Sequence, residues 1–291
     1  MGTGGTLAEV PIPRMARPMS VLQAIVLGLV QGLTEFLPIS SSGHLLIVPA
    51  FAGWEDPGAA FTAVIQLGTM AAVLLYFRRD LIQIARAWWR ELRIPFAGRS
   101  TDANLGWFII LGTIPIAIFG FIFRNQIESG ARSLYLVGAM LIGFSFVMLA
   151  AERYGSRERP IEEIDGRDGA FIGLWQAFAL IPGVSRSGAT ISAGLFRNFN
   201  RTAAARYSFL LSVPAVVLSG LFELRDIGGE GSVGFAPTAI ATLVAFASGY
   251  AAIAWLLRYL ANHSLNVFVA YRIPLGILVI ALAATGAITS P

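Results

Sequence analysis

The sequence has no cysteine and no lysine among its 291 residues. The first absence excludes disulfides, thiolate metal sites and cysteine nucleophiles. The second leaves arginine to carry all 21 basic charges, a usage from which no function follows. Charge is scarce altogether: 13% of the residues are charged, against about 25% in a typical soluble domain. The net charge of +4 is small and spread along the chain, so no nucleic-acid partner is expected. What is abundant is apolar. Hydrophobic residues make up 56% of the chain and the mean hydropathy is +0.69. These values predict an integral membrane protein.

Six apolar segments reach the roughly 20 residues that a spanning helix needs. They run about 59–77, 105–123, 134–151, 203–222, 237–257 and 267–289. Two other apolar regions, 20–52 and 170–197, are interrupted midway by Pro- and Ser-containing runs, and each half is too short to cross. Non-helical backbone at membrane depth must be covered by protein or line a wet cavity. The expected fold is therefore an all-α polytopic membrane protein with six spanning helices and two re-entrant helical hairpins. One hairpin followed by three spans occurs twice. Because three is odd, the second copy starts from the opposite face and the repeats have inverted topology. Repeat one covers about 19–151 and repeat two about 170–291, within one membrane domain at 19–291. A Gly/Pro-rich flexible tail occupies 1–18, without an obvious cleavable signal. Thr113-Ile114-Pro115 and Arg272-Ile273-Pro274 fall in comparable spans of the two halves.

Arginine bias sets the orientation. Fourteen of the arginines fall on one side, in 78–104, 152–169, the region of Arg197, Arg201 and Arg206, and at Arg258. Arg14, Arg17, Arg124, Arg132 and Arg225 fall on the other. The rich side is expected to be cytoplasmic. Residues 78–93 fit an interfacial amphipathic helix or a simple juxtamembrane anchor.

The interruptions carry the chemistry. One is QGLTEFLPISSSGH from Gln31 to His44; the other is QAFALIPGVSRSGAT from Gln176 to Thr190. Aligned on their glutamines, Ser-Ser-Ser-Gly falls on Ser-Arg-Ser-Gly without a gap. Half-helices are expected to begin near Gly43 and Gly188, and helix N-termini bind phosphate through free N–H groups. Ser40, Ser41, Ser42, Ser185, Ser187 and Thr190 add hydroxyls, and Arg186 adds a permanently charged fork. Gln31 and Glu35 share a helical face one turn before the first break. A carboxylate beside bound phosphate calls for a divalent cation, Mg²⁺ or Ca²⁺, with Glu35 as ligand and Gln31 as a weaker oxygen donor. The rival role of Glu35 is to orient His44. Ser41 beside His44 is the minimum for an activated nucleophile; attack by His44 itself is the other chemistry open. Against these readings, Ser and Gly often only let membrane helices pack closely, and a lone His in a bundle is more often a hydrogen-bonding member. Arg272 reads as snorkelling from a span end, at most a second-tier phosphate contact. His263 reads as an incidental loop residue.

These two runs, with FTAVIQLG from Phe61 to Gly68, resemble the signatures of the bacterial undecaprenyl-diphosphate phosphatase family, also known for bacitracin resistance. The resemblance extends from about Met19 to the C-terminus. It implies removal of the terminal phosphate from the lipid carrier undecaprenyl diphosphate, giving the monophosphate used in cell-wall synthesis. It implies a divalent cation, inverted repeats with two re-entrant hairpins, and a bacterial inner-membrane location with the site open to the outer face. The essential residues of the family fall on Glu35, Ser41, His44, Ser185, Arg186 and Thr190. Many members have Glu where this chain has Gln31, which leaves Glu35 as the one carboxylate. The expected partners are a polyprenyl diphosphate and the bilayer, with a homodimer as a candidate assembly. A polyprenyl-phosphate flippase or other transporter is the rival class, since broken helices in inverted repeats are transporter architecture. Ser42-Gly43-His44 also resembles part of the histidine-type lipid phosphatase motif, but no His follows Arg186 within a dozen residues.

Overall fold

The first helix begins at a closed capping box. The Ser20 hydroxyl accepts from the Gln23 amide, and the Gln23 side chain accepts from the Ser20 amide. Helix α1 (Val21–Phe36) then runs to Leu37, which the following Pro38 holds extended at φ −69°, ψ 141°. Helical structure resumes at α2 (Ser41–Ala52). There follow α3 (Gly58–Tyr76), α4 (Arg78–Arg90), α5 (Thr101–Ile122) and α6 (Leu134–Tyr154). The second half consists of α7 (Gly166–Gln176), α8 (Arg186–Phe196), α9 (Arg201–Glu223), α10 (Phe235–Leu260) and α11 (Asn266–Ala284). Helix α7 opens on a second capping box, Asp165 with Asp168. It passes through a 3₁₀ turn at Ala177–Leu180 and stops at extended Ile181, ahead of Pro182. This computed structural model describes residues 19–123, 126–127, 133–223 and 233–289. The tail 1–18 and Arg124, Arg132 and Arg225 of the orientation argument lie outside the described residues.

Among the described residues the fold is all-helical, with one isolated bridge between Arg159 and Phe199. Four helices, α5, α6, α10 and α11, are long and apolar enough to cross a membrane, and α3 with α4 makes a fifth candidate across a 74° bend. The chain is thus a multi-pass membrane protein. The expected segment 203–222 coincides with the 23-residue α9. The other expected spans match α3, α5, α6, α10 and α11 to within a few residues. The expected helix at 78–93 appears as α4. It lies against α5, with Gln83 Nε2 donating to Asp102 at 2.6 Å and Trp88 over Gly106.

Small residues set the closest helix pairs. Helix α1 packs along α10 and α7 along α5, while α6 pairs with α11 and α3 with α9. A methyl group on Gly28 of α1 would sit 2.5 Å from the Ala241 carbonyl oxygen of α10, and one on Gly276 of α11 would sit 2.7 Å from the Gly138 carbonyl oxygen of α6. Without a hydrophobic driving force between helices in lipid, such close backbone contact is what holds them. Gly28→Val is therefore expected to cost about 1–3 kcal/mol through overpacking. Thermal unfolding in detergent reads this as a lowered Tm. Gly143→Ala, where nothing lies within 4 Å of the added carbon, should leave the Tm unchanged or higher.

The two interruptions are buried at the centre of this packing. Ile39 and Val184, one from each break, both belong to the main apolar core with Phe36, Leu195 and Phe209. The outer surface carries exposed Leu22, Ile118, Phe121 and Leu243, as lipid contact requires. Two buried acids secure the arginine-rich side. Asp168 accepts from Arg159 at 2.8 Å and from Arg197 at 2.5 Å. Glu152 accepts from Arg201 at 2.7 Å and from the Leu265 amide at 2.8 Å.

Candidate active site

Each interruption ends in a serine with the same unusual backbone. Ser40 has φ 76°, ψ 94° and Ser185 has φ 77°, ψ 119°. Positive φ costs a non-glycine residue about 1–3 kcal/mol. Here it turns each hydroxyl onto the first turn of the helix it caps. Ser40 Oγ accepts from the Gly43 amide at 3.3 Å and Ser185 Oγ from the Gly188 amide at 3.2 Å. Each cap also pairs with the serine two places on: Ser40 with Ser42 at 3.4 Å, Ser185 with Ser187 at 3.1 Å. The two breaks touch. Ser187 Oγ donates to the Leu37 carbonyl at 3.0 Å, and the Arg186 guanidinium pairs with Glu35.

Glu35 is the hub of this contact. Its Oε1 faces Arg186 Nη2 and, at 3.4 Å, Gln66 Nε2. Its Oε2 accepts from Ser41 Oγ at 2.6 Å and from Gln31 Nε2 at 3.0 Å. Four donors from α1, α2, α3 and α8 thus converge on one carboxylate. The side chains of Glu35 and Arg186 are only 6% and 14% exposed, so the pair is largely out of water. Burial this deep makes a broken pair costly.

His44 and Ser41 hydrogen-bond to different partners. Its Nδ1 faces the Ser40 carbonyl at 2.7 Å and its Nε2 faces the Tyr271 hydroxyl at 2.8 Å. A carbonyl only accepts, so Nδ1 carries the proton, and in the neutral ring Nε2 accepts from Tyr271. The rings of His44 and Tyr271 are stacked, 5.6 Å apart. The pairing expected from sequence, His44 activating Ser41, is therefore not the one the structure makes: the Ser41 hydroxyl points at Glu35. The expectation that Glu35 orients His44 likewise finds no hydrogen bond between them.

The even row of hydroxyls expected from the sequence divides in two. Ser41 is half-buried and Ser42 exposed, so these can meet a ligand. Ser40 and Ser185 are consumed as caps, and Ser187 as a link between the breaks. Thr190 donates to the Arg186 carbonyl at 2.9 Å and pairs with Ser208 at 2.5 Å, facing α9 instead of the Glu35 cluster. Arg272 departs most from expectation. It does not snorkel: it is fully buried and bonded to Pro38, Met140, Ser145 and Gly183. His263 is exposed and stacked on Tyr259, as a loop residue should be. Three participants had no role in the sequence reading: Gln66, Tyr271 and Ser145. The available signals were the Gln inside FTAVIQLG and the Tyr preceding an intramembrane arginine.

Comparison with known proteins bears on this arrangement. A family model described as bacitracin resistance protein BacA matches residues 24–278. The chain belongs to the BacA family. Among its relatives is the undecaprenyl-diphosphatase of Thermobifida fusca, 52% identical over 271 residues that cover 93% of each chain. The proteins of the same name from Nocardioides sp. and Mycolicibacterium smegmatis are each 53% identical, covering 92% and 94% of this chain and 98% and 100% of theirs. The BacA match takes in both breaks together with Tyr271 and Arg272. The resemblance read from the two runs is thereby borne out at the level of the family.

A divalent cation was expected of such a site. Among the described residues no three His, Asp or Glu side chains lie together. Glu35 is the one carboxylate, with the Ser41 hydroxyl and the Gln31 and Gln66 amides beside it. Both amides point Nε2 at Glu35, so only the carboxylate and the hydroxyl offer oxygens as they stand. With the amides turned, the set suits Mg²⁺ or Ca²⁺ in kind but falls short of a cage, and it fits a cation only where substrate phosphates supply further oxygens.

Proposed function

We propose that this chain hydrolyses undecaprenyl diphosphate to undecaprenyl phosphate and inorganic phosphate. The observation that carries the reading is the meeting of Ser41 and Arg186, from the two interrupted regions, on the buried carboxylate of Glu35. The names of the relatives support the same substrate. Arg186 and the amides at the start of α8 would hold the phosphates. Ser41 Oγ, already donating to Glu35, is the nucleophile: it attacks the terminal phosphorus, its proton passes to the carboxylate, and the bridging P–O bond breaks to release the lipid monophosphate. Water then cleaves the phosphoserine. Capping of His44 Nε2 by Tyr271 favours Ser41 over His44 as the attacking group. Glu35, with Gln31 and Gln66 turning their amide oxygens, would hold Mg²⁺ or Ca²⁺, which when bound neutralises phosphate charge.

The fold reading goes with it. The two interrupted regions are re-entrant hairpins in inverted repeats, with α3, α5, α6, α9, α10 and α11 as the six spans. Reciprocal packing supports this: α1 lies on α10 as α7 lies on α5, and the matched pairs α3–α9 and α6–α11 face each other. The near-equal backbone angles of Ser40 and Ser185 support it further. The protein would lie in the bacterial inner membrane with the site open outward. The experiment is phosphate release from undecaprenyl diphosphate by the purified chain, with Mg²⁺ or Ca²⁺ and again with a chelator. Release that the chelator abolishes is expected. No release under any cation condition sinks the reading, and lipid movement across vesicles without hydrolysis would favour a flippase.

A further inference from the structure

Arg272 is fully buried, at 0% exposure, a depth that Asp168 alone matches among the described charged residues. Its Nε donates to Ser145 Oγ at 3.1 Å, its Nη1 to the Pro38 carbonyl at 3.1 Å, and its Nη2 to the carbonyls of Gly183 at 2.9 Å and Met140 at 3.2 Å. None of these four acceptors is a carboxylate. Two of them belong to the interrupted regions, and in equivalent places: Pro38 lies two residues before the cap Ser40, and Gly183 two before the cap Ser185. The other two lie on α6.

The chemistry explains the residue type. Where a helix breaks at membrane depth, carbonyls lose their helical donors and must find others. One planar guanidinium offers five N–H groups in a fixed fork. Arg272 satisfies both breaks at once and ties them to α6, so the angle and spacing of its nitrogens become the spacing of the breaks. That spacing decides whether Arg186, one residue past its cap, reaches Glu35 beside Ser41.

We propose that Arg272 is a positioning residue: it bridges the Pro38 and Gly183 carbonyls and so fixes the two interrupted regions at the separation in which Ser41 and Arg186 share Glu35. The kinetic half of this inference rests on the proposed phosphatase function; the geometric half does not.

The test uses the full chain with Arg272→Gln, Arg272→Lys and, as a milder change, Ser145→Ala. Arg272→Gln and Arg272→Lys should each lower kcat on undecaprenyl diphosphate by at least about 30-fold with KM moved less than about threefold, since the loss is of alignment and not of substrate contact. Lysine keeps the charge but not the fork, so near-parental turnover in Arg272→Lys would overturn the proposal. Spacing is read without activity in native membranes, using Leu37→Cys with Ser187→Cys in this cysteine-free chain. Disulfide formation should be at least about tenfold slower when Arg272→Gln is added, because the bond tolerates little change in separation. An unchanged rate overturns the proposal even if activity falls. Should Arg272→Gln fail to accumulate, Ser145→Ala decides by the same cross-link, with a slowing of about twofold or more expected and an unchanged rate counting against. If the unsubstituted chain releases no phosphate, the function reading falls and the cross-linking result still stands for or against the bridge.

Discussion

Arg186→Ala should lower kcat/KM for undecaprenyl diphosphate by about 10³-fold, the scale on which an arginine stabilises phosphoryl transfer. Two losses combine. The first is a permanently charged, planar donor set that matches phosphate oxygens. The second is the partner of Glu35, whose carboxylate is left buried with only neutral donors. Arg186→Lys should recover little, because a point charge on a flexible stem does not reproduce the fork. Steady-state kinetics on purified variants checks this, with circular dichroism and thermal unfolding to show that each is folded. A decrease below about tenfold in Arg186→Ala would remove this arginine from the phosphate site.

Glu35→Gln should cost about 10²–10⁴-fold in kcat, the range of a positioned acid or base. The substitution keeps size and shape but removes the charge on which Ser41, Gln31, Gln66 and Arg186 converge. It also leaves the Arg186 guanidinium buried without a counter-charge, a change of about 3 kcal/mol on the scale of broken buried pairs. The melting temperature should therefore fall along with turnover. Because Glu35 and Arg186 act as one unit, the double variant Glu35→Gln with Arg186→Ala should be little slower than the worse single variant and more stable than Glu35→Gln alone. Strict additivity of the two losses in log kcat would show that they work separately.

Local chemistry was legible in the sequence; long-range chemistry was not. The two breaks could be found because Pro38 and Pro182 each force the preceding residue out of the helix, and because Ser40 and Ser185 carry the capping hydroxyl three residues before a glycine amide. Glu35 and Arg186 stood out as ionisable groups in apolar surroundings. The direction of each hydroxyl was hidden, since Ser41 and Ser187 look alike in a list of residues yet one faces the carboxylate and the other the opposing break. His44 and Tyr271 are separated by 227 positions, and nothing local in either marks the other. Arg272 was misplaced for a definable reason. The expected span began at 267, so an arginine five residues in looked close enough to the end to reach water. Its side chain instead turns inward to carbonyls supplied by three distant segments.

The contact between Arg186 and Glu35 bears on how such a pocket would tell its substrate from other phosphates. The cation that would receive the ligand is already satisfied by a neighbour, so binding is an ion exchange whose net gain is a small difference between two pairings. Soluble phosphate or a nucleotide arriving from bulk water has little else to offset its lost freedom. A lipid is already confined to two dimensions and oriented with its headgroup at the membrane interface, so its effective concentration at the site is far higher. Selectivity in this design is then set less by the shape of the cradle than by the dimensionality of the search that leads to it.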